Sequence, residues 1–134
     1  MRLNWKLEFP SRVICSEESI LLEEYELVGI RSNLLVSRDV SVLFSRPGGN
    51  GALLEFLFRG VDFVSFSFEK SVEPLGLNFL AFLPKGEAFL NEYFEYNNED
   101  IEMDLIFSLS DGGHVRIGGD ESQVRAQDNL QIMI

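Results

Sequence analysis

Ile101-Glu102-Met103-Asp104-Leu105-Ile106-Phe107-Ser108-Leu109 is the stretch that decides the fold class. Its odd-numbered positions are all apolar, five in unbroken alternation, which is the period of a β-strand with one face in a core. Asp111-Gly112-Gly113 follows and suits a reversal into a second strand at His114 to Ile117, which Gly118-Gly119 ends. Upstream, Val40, Val42 and Phe44 alternate in the same way. Arg46-Pro47-Gly48-Gly49-Asn50-Gly51 then supplies residues that tolerate a hairpin turn. Leu54, Phe56 and Phe58 return, with Leu53 and Leu57 opposite, so that strand is expected to be covered on both faces. Gly60 allows a bend, and Val64, Phe66 and Phe68 continue what reads as a three-strand meander.

The flanks carry weaker versions of the same pattern. Leu3, Trp5, Leu7 and Phe9 predict a first strand that Pro10-Ser11 ends. Ser16-Glu17-Glu18-Ser19 could cap a short helix over Ile20 to Tyr25, or Ile20 to Ile30 could be extended, and a strand is expected from Leu27 to Ile30 onward. Leu77 to Leu83 reads as a strand or a buried loop. Phe89, Leu90, Tyr93 and Phe94 are spaced for one or two helical turns within Glu87 to Tyr96. Val124 to Ala126 and Leu130 to Ile134 are expected closing strands. Residues 1–134 are therefore expected to form one domain, mainly β. The architecture is an antiparallel sandwich or open barrel of about eight to ten short strands, with room for one short helix.

Composition narrows the chemistry. The chain has twelve Phe, three Tyr and one Trp, and each buried Phe contributes roughly 2 kcal/mol to folding. Cys15 is the one cysteine, so no internal disulfide forms. The start lacks the apolar core of a signal peptide, and no apolar run is long enough to span a bilayer. These features predict a soluble cytoplasmic protein.

Catalytic groups are scarce. His114 is the one histidine, so Cys15–His114 is the only Cys/His combination available for nucleophilic catalysis. A solvated turn histidine and an apolar buried thiol are the plainer readings. One His and one Cys do not make a structural zinc site. Asp100, Glu102 and Asp104 alternate as calcium ligands can, but the residues between them look like a buried strand face. Glu102 and Asp104 would stand roughly 7 Å apart, a spacing that paired catalytic carboxylates use, yet an open sheet face supplies no cleft. The glycine pairs read as turns, since none opens a helix ahead of a Lys-Ser/Thr pair. No enzyme activity, cofactor or metal is expected.

Charge is the remaining signal. The chain carries 22 acidic and 11 basic residues, a formal −11, which disfavours nucleic acid and membrane surfaces and favours a basic partner. From Glu87 to Val115 there are eight carboxylates and no Lys or Arg. Two such charges 7 Å apart in water repel by only about 0.6 kcal/mol, so a merely solubilising face is tolerable. Continuity is the argument for a docking face, which stands beside that reading. Glu92, Glu95, Glu99, Asp100, Glu102 and Asp104 follow closely, with Tyr93 and Tyr96 among them as interface anchors. A second acidic group, Glu17, Glu18, Glu23, Glu24 and Glu26, is a weaker candidate.

Trp5 in the first strand, together with Leu54-Glu55-Phe56-Leu57-Phe58-Arg59-Gly60-Val61-Asp62-Phe63, resembles immunity proteins of bacterial polymorphic or contact-dependent growth inhibition toxin systems. The resemblance implies a non-enzymatic inhibitor of a cognate toxin domain, commonly a nuclease. It implies no contact residue, so the acidic face rests on charge alone. A small-ligand-binding β-barrel and a structural subunit of a larger assembly are the alternative expectations.

Overall fold

The computed structural model describes residues 1–48, 52–68, 75–87 and 93–127. Its strands, in chain order, are β1 (Arg2–Leu3), β2 (Lys6–Glu8), β3 (Arg12–Cys15), β4 (Glu18–Leu21), β5 (Glu26–Asn33), β6 (Asp39–Ser45), β7 (Leu53–Arg59), β8 (Phe63–Ser67), β9 (Leu77–Pro84), β10 (Met103–Leu109), β11 (His114–Gly118) and β12 (Glu121–Gln127). Among the described residues the helix content is one 3-10 turn, Leu22–Glu24. The region Ile20 to Tyr25 is thus strand, then turn. The helical turns expected between Glu87 and Tyr96 fall partly on residues 88–92, outside the described residues; over 93–96 the chain is not helical, and Phe94 forms an antiparallel bridge with Phe82 instead. The closing strand expected at Leu130 to Ile134 also lies outside the described residues.

The strands form a β-sandwich that is not closed into a barrel. One sheet has the order β1-β12-β7-β6-β5, the second β8-β11-β10-β9, and a third, smaller one β2-β3-β4. Pairing is antiparallel except for the short parallel contact of β1 with β12. The first predicted strand is divided between two sheets. Leu3 pairs with Ser122, Leu7 pairs with Val13, and Trp5 lies buried between them, its Nε1 donating to Ser122 Oγ at 3.2 Å.

The predicted three-strand meander is a two-strand hairpin followed by a change of sheet. β6 and β7 pair in the five-stranded sheet, but β8 belongs to the four-stranded one. β11 and β12 make the reverse passage, so two antiparallel strand pairs turn the same corner together. Glycine makes this possible. Gly60 has φ +63°, and a Cβ there would collide with the Asp120 carboxylate. The two bends are tied directly, Asp120 N donating to Arg59 O and Asp62 N to Gly118 O, at 2.9 and 3.0 Å.

Inside the sandwich, Phe44, Phe56 and Phe58 from one sheet meet Phe107 from the other, with ring centroids 5.2 to 6.2 Å apart. Met103, Leu105, Phe107 and Leu109 all join that core, as their alternation predicted, whereas Ile101 lies before the strand and is exposed. The opposite face of β10 is buried too. Ile106 packs with Ala81 and Leu83, and Asp104 and Ser108 are shielded from water. Not every phenylalanine serves the core: Phe9, Phe63, Phe66 and Phe68 remain exposed.

Candidate functional site

Residues 93–102 connect back to β10 as a loop held by its own backbone and amides. Phe94 and Phe82 of β9 exchange both backbone hydrogen bonds, at 2.8 and 2.9 Å. Asn97 donates from Nδ2 to Met1 O at 2.6 Å. Asn98 then organises the turn. Its Oδ1 accepts from Asp100 N and its carbonyl from Ile101 N, while its own N–H meets Met103 Sδ. Phe94 packs on the core, and Tyr93 lies edge-on to Phe79 at 5.0 Å. Asn and Asp suit such a bend because their short side chains bond nearby backbone groups.

This tethering presents Tyr93, Glu95, Tyr96, Glu99, Asp100 and Glu102 to solvent on one short segment. Tyr96 is the most exposed aromatic of that segment, at 61%, and its ring stands edge-on to Phe94. Between the loop and the start of the chain lies a cavity of about 300 Å³, lined in part by Trp5, Lys6, Tyr96 and Glu99. Glu92 lies outside the described residues.

Asp104 requires a correction. Its side chain is 2% exposed, on the covered outer face of the four-stranded sheet. Arg116 donates from Nε to Asp104 Oδ2 at 2.9 Å, and Lys85 Nζ stands 3.7 Å from Oδ1. A carboxylate on β10 loses its hydration when the sheet's outer face is covered, and it is retained only with a counter-charge. The basic residues that border the acidic run in sequence, Lys85 and Arg116, fold back onto it. Burial works against the Lys85 ammonium, but its hydrogen bond to Asp62 and the charges of Asp104, Asp62 and Glu102 raise its pKa above the ordinary 10.5.

The same arrangement bears on the other chemistries. Asp104 does not stand with Asp100 and Glu102 as a free oxygen ligand. Among the described residues no three Asp, Glu, His or Cys side chains are grouped to hold a metal ion. Cys15 and His114 belong to different sheets. The Cys15 thiol faces the carbonyls of Asn4 and Val124, and His114 lies beside Ser65. Of the second acidic group, Glu17, Glu18, Glu23 and Glu24 are exposed, and Glu24 pairs with Arg46 at 3.2 Å.

Sequence reasoning missed a second polar constellation. Glu55 of β7 is fully buried, yet it lies on the outer face of the five-stranded sheet. Ser41 Oγ donates to its Oε2 at 2.5 Å, Arg31 Nη2 approaches the same oxygen at 3.3 Å, and Arg125 Nε donates to Oε1. Burial alone would raise the Glu55 pKa. The hydrogen bonds from Arg125 and Ser41 and the nearby positive charges outweigh it and hold the carboxyl below its ordinary 4.5. The signal was present in Leu53-Leu54-Glu55-Phe56-Leu57-Phe58, where one carboxylate interrupts a strand apolar on both faces and so demands a partner.

Among the described residues no helix is long and apolar enough to cross a membrane. No protein-family model, curated protein or solved structure matches the chain.

Proposed function

We propose that this protein is a non-enzymatic cytoplasmic inhibitor, an immunity protein that holds a basic toxin domain of nuclease type on the loop at residues 93–102. One observation carries the reading. Four exposed carboxylates, Glu95, Glu99, Asp100 and Glu102, share a backbone-tethered loop with the exposed rings of Tyr93 and Tyr96. Fixed acids around aromatic anchors are the composition of a surface that recruits a cation-rich protein quickly and then packs against it. Tethering matters because a loop already in its bound shape loses little entropy on docking. The withdrawal of Asp104 narrows the face without removing it.

The test is co-purification with a toxin domain encoded beside this chain, followed by conversion of Glu95, Glu99, Asp100 and Glu102 to lysine. Protection from the toxin and complex formation are expected to be lost together. If protection is unchanged in the reversed protein, the loop is not the docking face.

A further inference from the structure

The outer face of the five-stranded sheet holds a concavity of about 450 Å³ that shares no lining residue with the cavity beside the acidic loop. Four strands build it. Arg31 of β5 lies opposite Ser41 of β6, Ser41 opposite Leu57 of β7, and Glu55 of β7 opposite Arg125 of β12. Leu57, Ser41 and Glu55 are buried and form the floor. Arg31, Arg125 and Arg59 stand over it half-exposed. The β5–β6 loop makes one rim and is rigidly wound, since the N–H groups of Val36, Ser37 and Arg38 all turn to Asn33 O.

The charge balance of this spot departs from the rest of the molecule. The charged lining residues are three arginines against Asp39 and Glu55, and Glu121, outside the lining, pairs with Arg59 at 3.6 Å, so the spot is locally neutral on a chain of −11. One guanidinium would be enough to compensate the buried Glu55, yet two converge on it. A guanidinium has five N–H donors in a fixed fork, and the contacts of Arg31 and Arg125 with Glu55 engage only part of each. Glu55 and Ser41 therefore act as a clamp that aims two forks across the same hollow, a geometry matched to planar or tetrahedral oxyanions. The volume falls within the range of small-molecule sites and leaves room for an organic body beyond the anion.

We propose that this hollow binds a small organic oxyanion, a carboxylate or phosphate ester, gripped by Arg31, Arg125 and Arg59 over the Glu55–Ser41 floor. Selectivity comes from short-range, multidentate contact, because the net charge of the chain repels anions at long range. The site stands or falls independently of the acidic loop, with which it shares no residue.

Inorganic phosphate and succinate are the two probes, each titrated into the intact protein while the arginine Nε–Hε resonances are followed by NMR, with sodium chloride as the ionic-strength control. Saturable displacement of the Arg31, Arg59 and Arg125 signals is expected with at least one probe. Saturation by phosphate alone assigns a phosphate ester, and by succinate alone a carboxylate. Arg59→Gln is expected to weaken that binding about tenfold or more, the loss of one charge-assisted contact. Arg46→Gln removes another exposed arginine, paired with Glu24 outside the hollow, and is expected to leave it unchanged. Shifts that rise linearly with both probes and match the chloride control overturn the proposal. So does an Arg46→Gln variant as impaired as Arg59→Gln.

Discussion

Arg116 and Asp104 form an ion pair across neighbouring strands, Nε to Oδ2 at 2.9 Å, with side chains 8% and 2% exposed. The remaining guanidinium nitrogens donate to the carbonyls of Glu87 and Pro84, at 2.6 and 3.3 Å, and the group lies over the Phe63 ring. Removing Asp104 leaves the Arg116 charge buried without its carboxylate, and removing Arg116 leaves Asp104 with only the more distant Lys85, at 3.7 Å. Asp104→Ala and Arg116→Ala are each expected to cost about 3–5 kcal/mol in urea denaturation. The double variant should cost clearly less than the two losses added together. Additive losses would mean that the two groups are stabilised separately.

Two glycines should respond in opposite senses. Gly60 has φ +63° at the sheet-changing corner, and a methyl group there would meet Asp120. Gly60→Ala is expected to lose about 1–2 kcal/mol from the backbone alone, with more from the collision. In an Asp120→Ala background the overlap with the carboxylate disappears, a tight contact with the remaining Cβ at 3.0 Å persists, and the backbone loss stays. Gly29, at the β5 bulge, has no positive φ, and a methyl group added there would meet nothing within 4 Å. Gly29→Ala should be neutral or gain up to about 1 kcal/mol by restricting the unfolded chain. Thermal midpoints of the three variants and the native chain decide this.

Glu55 sets a limit on acid stability. Its pKa is lower in the folded protein than its ordinary 4.5, so the unfolded chain takes up the proton first as pH falls. The carboxylate's contribution is fully present above the unfolded value and is lost as pH drops from about 4.5 through the lowered folded value. Stability measured between pH 6 and 3 should therefore fall more steeply in the native chain than in Glu55→Gln, which starts lower and has no proton to gain at this position. Parallel curves would show that Glu55 is not held ionised.

The strand pattern was legible because period two reports directly on which side of a sheet meets the core. Met103 to Leu109 and Val40 to Phe44 obeyed it, and their turns lay in adjacent glycine-rich residues. The second buried face was not legible, since a polar residue in alternation reads the same whether water or a distant arginine faces it. Asp104 illustrates the difficulty. Arg116 reaches it only through the β10–β11 register, and Gly118 makes the room, because a Cβ there would overlap the Asp104 carboxylate. The corner at Gly60 was read as a bend within one sheet, because a glycine permits the turn without saying which sheet receives the next strand. Glu95, Glu99, Asp100 and Glu102 are exposed, as expected, because loop carboxylates need no long-range partner to stay at the surface. The arginine hollow was missed because its residues come from four strands spread between positions 31 and 125.

The acidic loop should act mainly on the rate of encounter. Electrostatic steering raises association by about 10- to 1,000-fold and is screened over a Debye length of about 8 Å at physiological salt. Neutralising Glu95, Glu99, Asp100 and Glu102 to their amides is expected to slow association with a basic toxin domain at low salt by at least about tenfold, and to flatten its salt dependence. Dissociation should change much less. Tyr96→Ala should do the reverse if its exposed ring packs on the partner: faster dissociation, worth about 2 kcal/mol, with association nearly intact. Both proteins should keep their stability within about 0.5 kcal/mol, since the altered side chains are exposed. Stopped-flow association across a salt series separates these effects. An amide variant that associates as fast as the native chain at low salt would remove steering by this loop from the mechanism.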